Sequence, residues 1–182
     1  MKFTELALPG VWLIEPNPHS DERGVFRRHF CAHEFEDHGL APAVAQANVS
    51  ENPTAGTLRG FHYQLRPHGE AKTMSCLTGA VYDIVADLRP ESPTFMQWVA
   101  VDLSAAARNS LHVPAGCANA WMTTVDHTVM HYYVSEFYTP AAERGLRYDD
   151  PVFGFKWPNP PRLISDKDRS HPDFDPRSLR AA

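Results

Sequence analysis

Residues 74–88 read MSCLTGAVYDIVADL. Two short apolar runs, rich in Val and Ile, flank Thr78 and Gly79. Runs of this length between turn residues predict buried strands, since a helix of the same hydrophobicity needs a longer, 3.6-periodic stretch. Gly79 predicts a tight hairpin turn between them, because glycine takes positive φ without a steric cost. The same texture recurs in FMQWVAVDL (95–103), NSLHVP (109–114), NAWMTTV (119–125) and HTVMHYYVSEFY (127–138). TLRGFHYQ (57–64) is strand-like as well. Helical periodicity is scarce: HEFEDHGL (33–40) is one short helix candidate, and SAAAR (104–108) is a loop or a single helical turn. Many short strands between turn signals define an all-β sandwich or barrel.

The 182 residues favour one domain spanning 1–182. Its parts would be an N-terminal stretch (1–50), a barrel core (51–140) and a C-terminal segment (141–182). The last segment is dense in Pro and Asp, yet it carries Phe153, Phe155, Trp157, Leu163 and Ile164. Those side chains predict docking onto the body rather than a solvated tail. Hydrophobic residues at 43% suffice for a core, and a net charge of -5 with scattered Lys and Arg presents no basic face for nucleic acid. No apolar run approaches the roughly 18 residues that span a bilayer. The start, MKFTELALPGVWLIEP, lacks a signal-peptide core, being interrupted at Pro9 and Gly10. Cys31, Cys76 and Cys117 are odd in number and far apart, so neither a disulfide framework nor a zinc site is suggested. A cytoplasmic location is the expectation.

TLRGFHYQ puts an arginine, a histidine and a tyrosine into one apolar stretch, which raises the question of what could meet His62. Lys72 begins the next strand, and Tyr132 lies on a later one. Asp168 lies in the C-terminal segment. Together they make a workable acid–base set. Histidine titrates near neutrality, a carboxylate fixes its tautomer, an ammonium steadies an enolate oxygen, and a phenol delivers a proton. Each residue also has a plainer reading: a satisfied histidine, a solvated strand end, a core tyrosine, an exposed charge run. A metal-binding barrel is a further alternative, with His62, His68 and Glu70 as a loose first cluster and Asn119 where a late ligand is wanted.

Taken in order, TLRGFHYQ, Lys72, GAVYDIVADLRPESPTFMQWVAVDLS, VPAGCANAW, YYVSEFYTPAAERGLRYDDP and ISDKD resemble the dTDP-4-dehydrorhamnose 3,5-epimerase family. DERGVFRRHF (21–30) and QANVSE (46–51) resemble its nucleotide-binding segments, so the likeness runs from about residue 10 to 170. The resemblance implies a jelly-roll β-sandwich of the cupin superfamily, without metal or other cofactor. It implies a homodimer that exchanges an N-terminal strand. The implied activity is epimerisation at C3, C5 or both of a nucleotide-diphosphate 4-keto-6-deoxyhexose. A 4-keto-sugar isomerase and a non-catalytic sugar-nucleotide binder are the alternatives.

Carried over by position, His62 would be the base, oriented by Asp168, and Tyr132 the acid on the opposite face. Lys72 and Arg59 would steady the enolate or nearby substrate oxygens. Arg23 and Phe26 would hold the diphosphate and the base, in the partner's site. Gln46 and Asn48 would bind the nucleotide, Tyr138 would flank it, and Glu143 and Lys167 match further ligand positions. Two residues depart from the family pattern. Asn119 stands where members have a histidine in Pro-x-Gly-x-x-His, which implies a slower reaction, one narrowed to a single carbon, or another sugar. Arg28 stands where members have a glutamate that accepts from the thymine ring. A guanidinium only donates, so a nucleotide other than dTDP is expected, unless Arg28 turns to the diphosphate or to solvent.

Overall fold

The structure is a computed structural model that describes residues 1–179. Residues 180–182 of the expected 1–182 unit lie outside the described residues. Fourteen strands form: β1 (Lys2–Glu5), β2 (Trp12–Glu15), β3 (His19–Asp21), β4 (Gly24–Phe26), β5 (Gln46–Asn52), β6 (Thr57–Gln64), β7 (Lys72–Thr78), β8 (Ala80–Asp87), β9 (Trp98–Ser104), β10 (Ser110–Val113), β11 (Cys117–Thr123), β12 (Thr128–Val134), β13 (Glu143–Gly145) and β14 (Leu163–Ile164). One sheet runs β1-β2-β10-β7-β12-β5. The other runs β13-β6-β11-β8-β9, with β14 added parallel to β6. Among the described residues the two α-helices, α1 (Ala32–Asp37) and α2 (Asp166–Arg169), are short, and a 3₁₀ turn spans Pro176–Leu179. This is the jelly-roll sandwich of the cupin type that the sequence led us to expect.

Gly79 corrects one expectation. It does adopt positive φ, at 81°, but β7 and β8 do not pair with each other. β7 pairs β10 and β12 in the first sheet, and β8 pairs β9 and β11 in the second. Gly79 is therefore a corner at which the chain crosses from sheet to sheet. A glycine turn has the same local chemistry whether its flanking strands pair together or part. Some strand limits differ too: β9 begins at Trp98, after a turn in which Met96 has positive φ, and β12 ends at Val134.

Apolar side chains collect in three layers. Between the sheets lie Met74, Cys76, Val81, Val85, Leu103, Leu111, Trp121 and Met130. Outside the second sheet, Phe61, Ile84, Ala118 and Ala120 are covered by Phe153, Phe155 and Trp157 of the C-terminal segment. Docking of that segment is thus what its aromatics predicted. Leu163 stays half exposed, so β14 is held by its backbone pairing with β6 rather than by that side chain. Outside the first sheet, α1 inserts Phe35 against Ile14 and Tyr133. Among the described residues, no helix is long and apolar enough to cross a membrane.

Candidate active site

The interior between the sheets is apolar at one end and polar at the other. The polar end arises from period-two alternation in strands whose inward positions carry functional groups. β5 contributes Gln46, Asn48 and Ser50, β7 contributes Lys72 and Met74, and β12 contributes Tyr132 and Val134; these are register neighbours in one sheet. The facing sheet contributes Arg59 and His62 from β6 and Asn119 and Trp121 from β11.

Arg59 and His62 are three residues apart, so strict alternation would point them to opposite faces. A register shift in the β6–β11 ladder reconciles them: His62 pairs Asn119, Gly60 pairs Ala120 and Arg59 pairs Trp121, which leaves Phe61 as the extra residue. Phe61 turns outward into the aromatic layer. Gly60, with φ at 114°, is the hinge of this bulge. A Cβ there would lie 2.5 Å from the Asn119 carbonyl oxygen and 2.6 Å from Ala120 Cα, both of them backbone atoms. Gly60→Ala is expected to cost about 2–4 kcal/mol through strained backbone and overpacking. Denaturant unfolding checks this; a loss under about 1 kcal/mol would show that the bulge tolerates a side chain.

His62 Nε2 lies 2.8 Å from Asp168 Oδ1. Asp168 is carried on α2, whose cap Ser165 accepts from the Asp168 N–H. The other carboxylate oxygen accepts from Gly60 N–H at 3.3 Å. Burial alone would raise the Asp168 carboxyl, but the His62 pair, the Gly60 amide and Ser165 hold it below the usual carboxylate value. Lys72 Nζ donates to the His62 carbonyl at 2.9 Å and to Asn119 Oδ1 at 3.4 Å, and pairs with Glu70 at 3.1 Å. Arg59 donates to Asn52 at 2.9 Å and lies over the Trp121 ring. Burial raises the Tyr132 phenol above its ordinary value, with Arg59 pulling it down and Glu70 up.

His62, Lys72, Tyr132, Arg59 and Asn119 line one cavity of about 140 Å³. It adjoins a second, of about 370 Å³, that His62, Lys72 and Tyr132 share with Gln46, Asn48, Tyr138 and Glu143. At that mouth Glu143 accepts from Tyr138 Oη at 2.7 Å and pairs with Lys167 at 2.7 Å. Burial would raise Glu143, and these two partners outweigh it and lower it.

Three expected residues lie elsewhere. Arg23 and Phe26 belong to the β3–β4 hairpin, which pairs with no other strand. Phe26 is 73% exposed, and Arg23 is engaged with Asp21. Arg28 pairs with Glu34 of α1 at 3.1 Å. His68, from the metal-binding alternative, is exposed on the turn before β7, and among the described residues no three His, Cys, Asp or Glu side chains group as a metal site would need. Two residues that matter here escaped the candidate set. Glu70 entered only as a loose metal ligand, and Asp83 was not singled out at all. A charge inside the apolar run AVYDIVAD was the available signal for Asp83.

A jelly roll thus gathers a histidine–carboxylate pair, an ammonium and a phenol around one interior cavity. The sequence model of the dTDP-4-dehydrorhamnose 3,5-epimerase family matches residues 5–176, and the chain belongs to that family. A dTDP-4-dehydrorhamnose 3,5-epimerase of Sinorhizobium fredii is 38% identical over 96% of this chain and 90% of its own. The crystal structure of the Bacillus anthracis enzyme with TDP and PPi bound superposes with a TM-score of 0.92 at 36% identity, covering 95% of this chain and 99% of that one. A 3'-monoepimerase from Streptomyces bikiniensis in complex with dTDP-quinovose gives 0.85 at 36% identity, covering 92% and 85%.

Proposed function

We propose that this protein epimerises a nucleotide-diphosphate 4-keto-6-deoxyhexose through an enolate. The observation that carries this is the placement of His62 and Tyr132 on opposing sheets around one cavity that Lys72 also lines. Protons on C3 and C5 are acidic because both carbons flank the C4 ketone. His62 removes one, and Asp168 orients the imidazole and stabilises its cation. Lys72 and Arg59 face the developing enolate oxygen. Tyr132 returns a proton to the other face. Gln46, Asn48, Tyr138 and Glu143 line the adjoining cavity, with Lys167 paired to Glu143 at its mouth, and these residues take the nucleotide end.

Asn119 favours a narrower reaction. A histidine at this point could bring charge beside the enolate, whereas an amide brings only a hydrogen bond. Removing such a donor altogether costs about 100- to 1000-fold, so losing its charge alone costs up to that much, and a loss near that bound would silence one carbon. The decisive experiment offers dTDP-, CDP- and GDP-linked 4-keto-6-deoxyhexoses in heavy water and follows C3 and C5 by NMR. Label and inverted stereochemistry at C3, C5 or both are expected. A 3-keto product would mark an isomerase, and binding without label a sugar-nucleotide binder. The same panel tests Arg28. Its exposed pair with Glu34 is worth at most about 1 kcal/mol, so it can be released to meet an acceptor edge of a base. Turnover of the dTDP sugar equal to or above the others removes Arg28 from base recognition.

The β3–β4 hairpin supports an assembly of two copies. A lone hairpin with exposed Val25 and Phe26 gains little by itself, and it carries Arg23, a guanidinium suited to a diphosphate. Exchange of this hairpin would bring Arg23 and Phe26 to the partner's cavity. Sedimentation should show a dimer, and a fully active monomer would remove the hairpin from the site.

A further inference from the structure

Strand β8 turns two carboxylates, Asp83 and Asp87, towards the interior, and both are fully buried. Asp87 is saturated. It accepts from the Arg89 guanidinium at 2.8 Å through each oxygen, from Ser92 Oγ at 2.6 Å and from Thr94 Oγ1 at 2.7 Å. Against burial, these bonds bring its carboxyl down to about 2. Asp83 is the reverse: among the described residues neither of its oxygens has a hydrogen-bond partner. Burial pushes its carboxyl well above the usual range, opposed more weakly by the Asn119 amide and the Lys72 charge.

A buried, unpartnered carboxyl costs stability, and an apolar residue of similar shape would relieve that cost. Folding therefore gives no reason for Asp83, and its position suggests one. In register it stands opposite Trp121 of β11 and Val101 of β9, diagonal to Asn119. Arg59 and His62 oppose the same two β11 residues from the other side. Asp83 thus lies just under the cavity floor. Asn119 itself is weakly held: its Oδ1 takes only the long bond from Lys72, and its Nδ2 faces the Met74 sulfur at 3.2 Å, a poor acceptor. No hydrogen bond joins the Asn119 amide to Asp83, yet the amide stands on the register diagonal from it and opposes the rise of its carboxyl.

We propose that Asp83 is a positioning residue, which anchors the Asn119 amide from below and keeps the Lys72 ammonium directed at the sugar. The inference rests on the reading of Lys72 as the group that faces the enolate. Lys72 already has one anion, Glu70, at 3.1 Å. A second carboxylate underneath would cancel the positive charge that Lys72 and Arg59 bring to the place where an enolate must form. A protonated Asp83 avoids this, and supplies one donor and one acceptor to the amide.

Two variants test it. Asp83→Leu should unfold at the same or a higher temperature than wild type, yet lose about 10- to 100-fold in kcat with KM little changed. Asp83→Asn, which keeps a donor and an acceptor without charge, should stay within about threefold of wild-type kcat, well inside the leucine loss. A leucine variant with wild-type kcat overturns the proposal. Should that variant fail to fold, the asparagine variant decides: retained turnover supports the neutral role, and a loss beyond tenfold overturns it. Infrared difference spectra of wild type against Asp83→Asn should show the carbonyl band of a protonated acid at neutral pH. Carboxylate bands there would overturn the proposal, and this readout holds even if the epimerase reading fails.

Discussion

His62→Ala should abolish solvent exchange at every carbon that the wild-type protein labels, a loss of about 10²- to 10⁴-fold or more. The ionised Asp168 carboxylate can only accept, so it takes the Nε2 proton of His62 and leaves Nδ1 as the free acceptor. Among the described residues no other imidazole lines the cavity. Glu70 is tied to Lys72 and to Gln64, and Asp168 sits behind the ring rather than before it. With His62 gone, the cavity keeps its cations and loses its base. Asp168→Asn should show a milder version of the defect: the ring keeps a neighbour, but its cation loses the counter-charge. The check is deuterium incorporation by NMR, with thermal unfolding to confirm that both variants fold. Exchange at either carbon above about one per cent of the wild-type rate in His62→Ala would rule the imidazole out as the base, since the loss would fall short of 10².

The sequence made the parts of this arrangement legible, and less of their assembly. TLRGFHYQ and HTVMHYYVSEFY show functional side chains in strand-like stretches, and that anomaly is local. Which strands pair is not local. Gly79 predicted a hairpin and is a corner, because β-pairing depends on partners far along the chain. Strict alternation would send Arg59 and His62, three residues apart, to opposite faces; a bulge hinged at Gly60 puts them together. Asp83 passed as one charge in an apolar strand. Its meaning depends on Asn119 and Lys72, which come from β11 and β7. Arg23, Phe26 and Arg28 were placed by resemblance alone, and among the described residues of one chain they do not line the cavity.

Tyr132→Phe should separate proton removal from inversion. Tyr132 comes from β12, in the sheet that faces β6 and His62. Burial, with Glu70 adding to it against Arg59, keeps the phenol protonated at neutral pH, the state an acid needs. Without the hydroxyl, His62 can still draw a proton from its own face and return deuterium there, which labels the carbon with retained configuration. Inverted product is therefore expected to fall about 10²- to 10⁴-fold, while exchange stays within about tenfold of wild type. The ring itself packs against the interior apolar layer, so phenylalanine fills the same space and the fold should hold. An equal collapse of exchange in Tyr132→Phe and His62→Ala would place both groups in one step on one face. Undiminished inversion would instead move the acid to another donor in the cavity, with Lys72 the first to examine, since its ammonium already reaches the same space from β7.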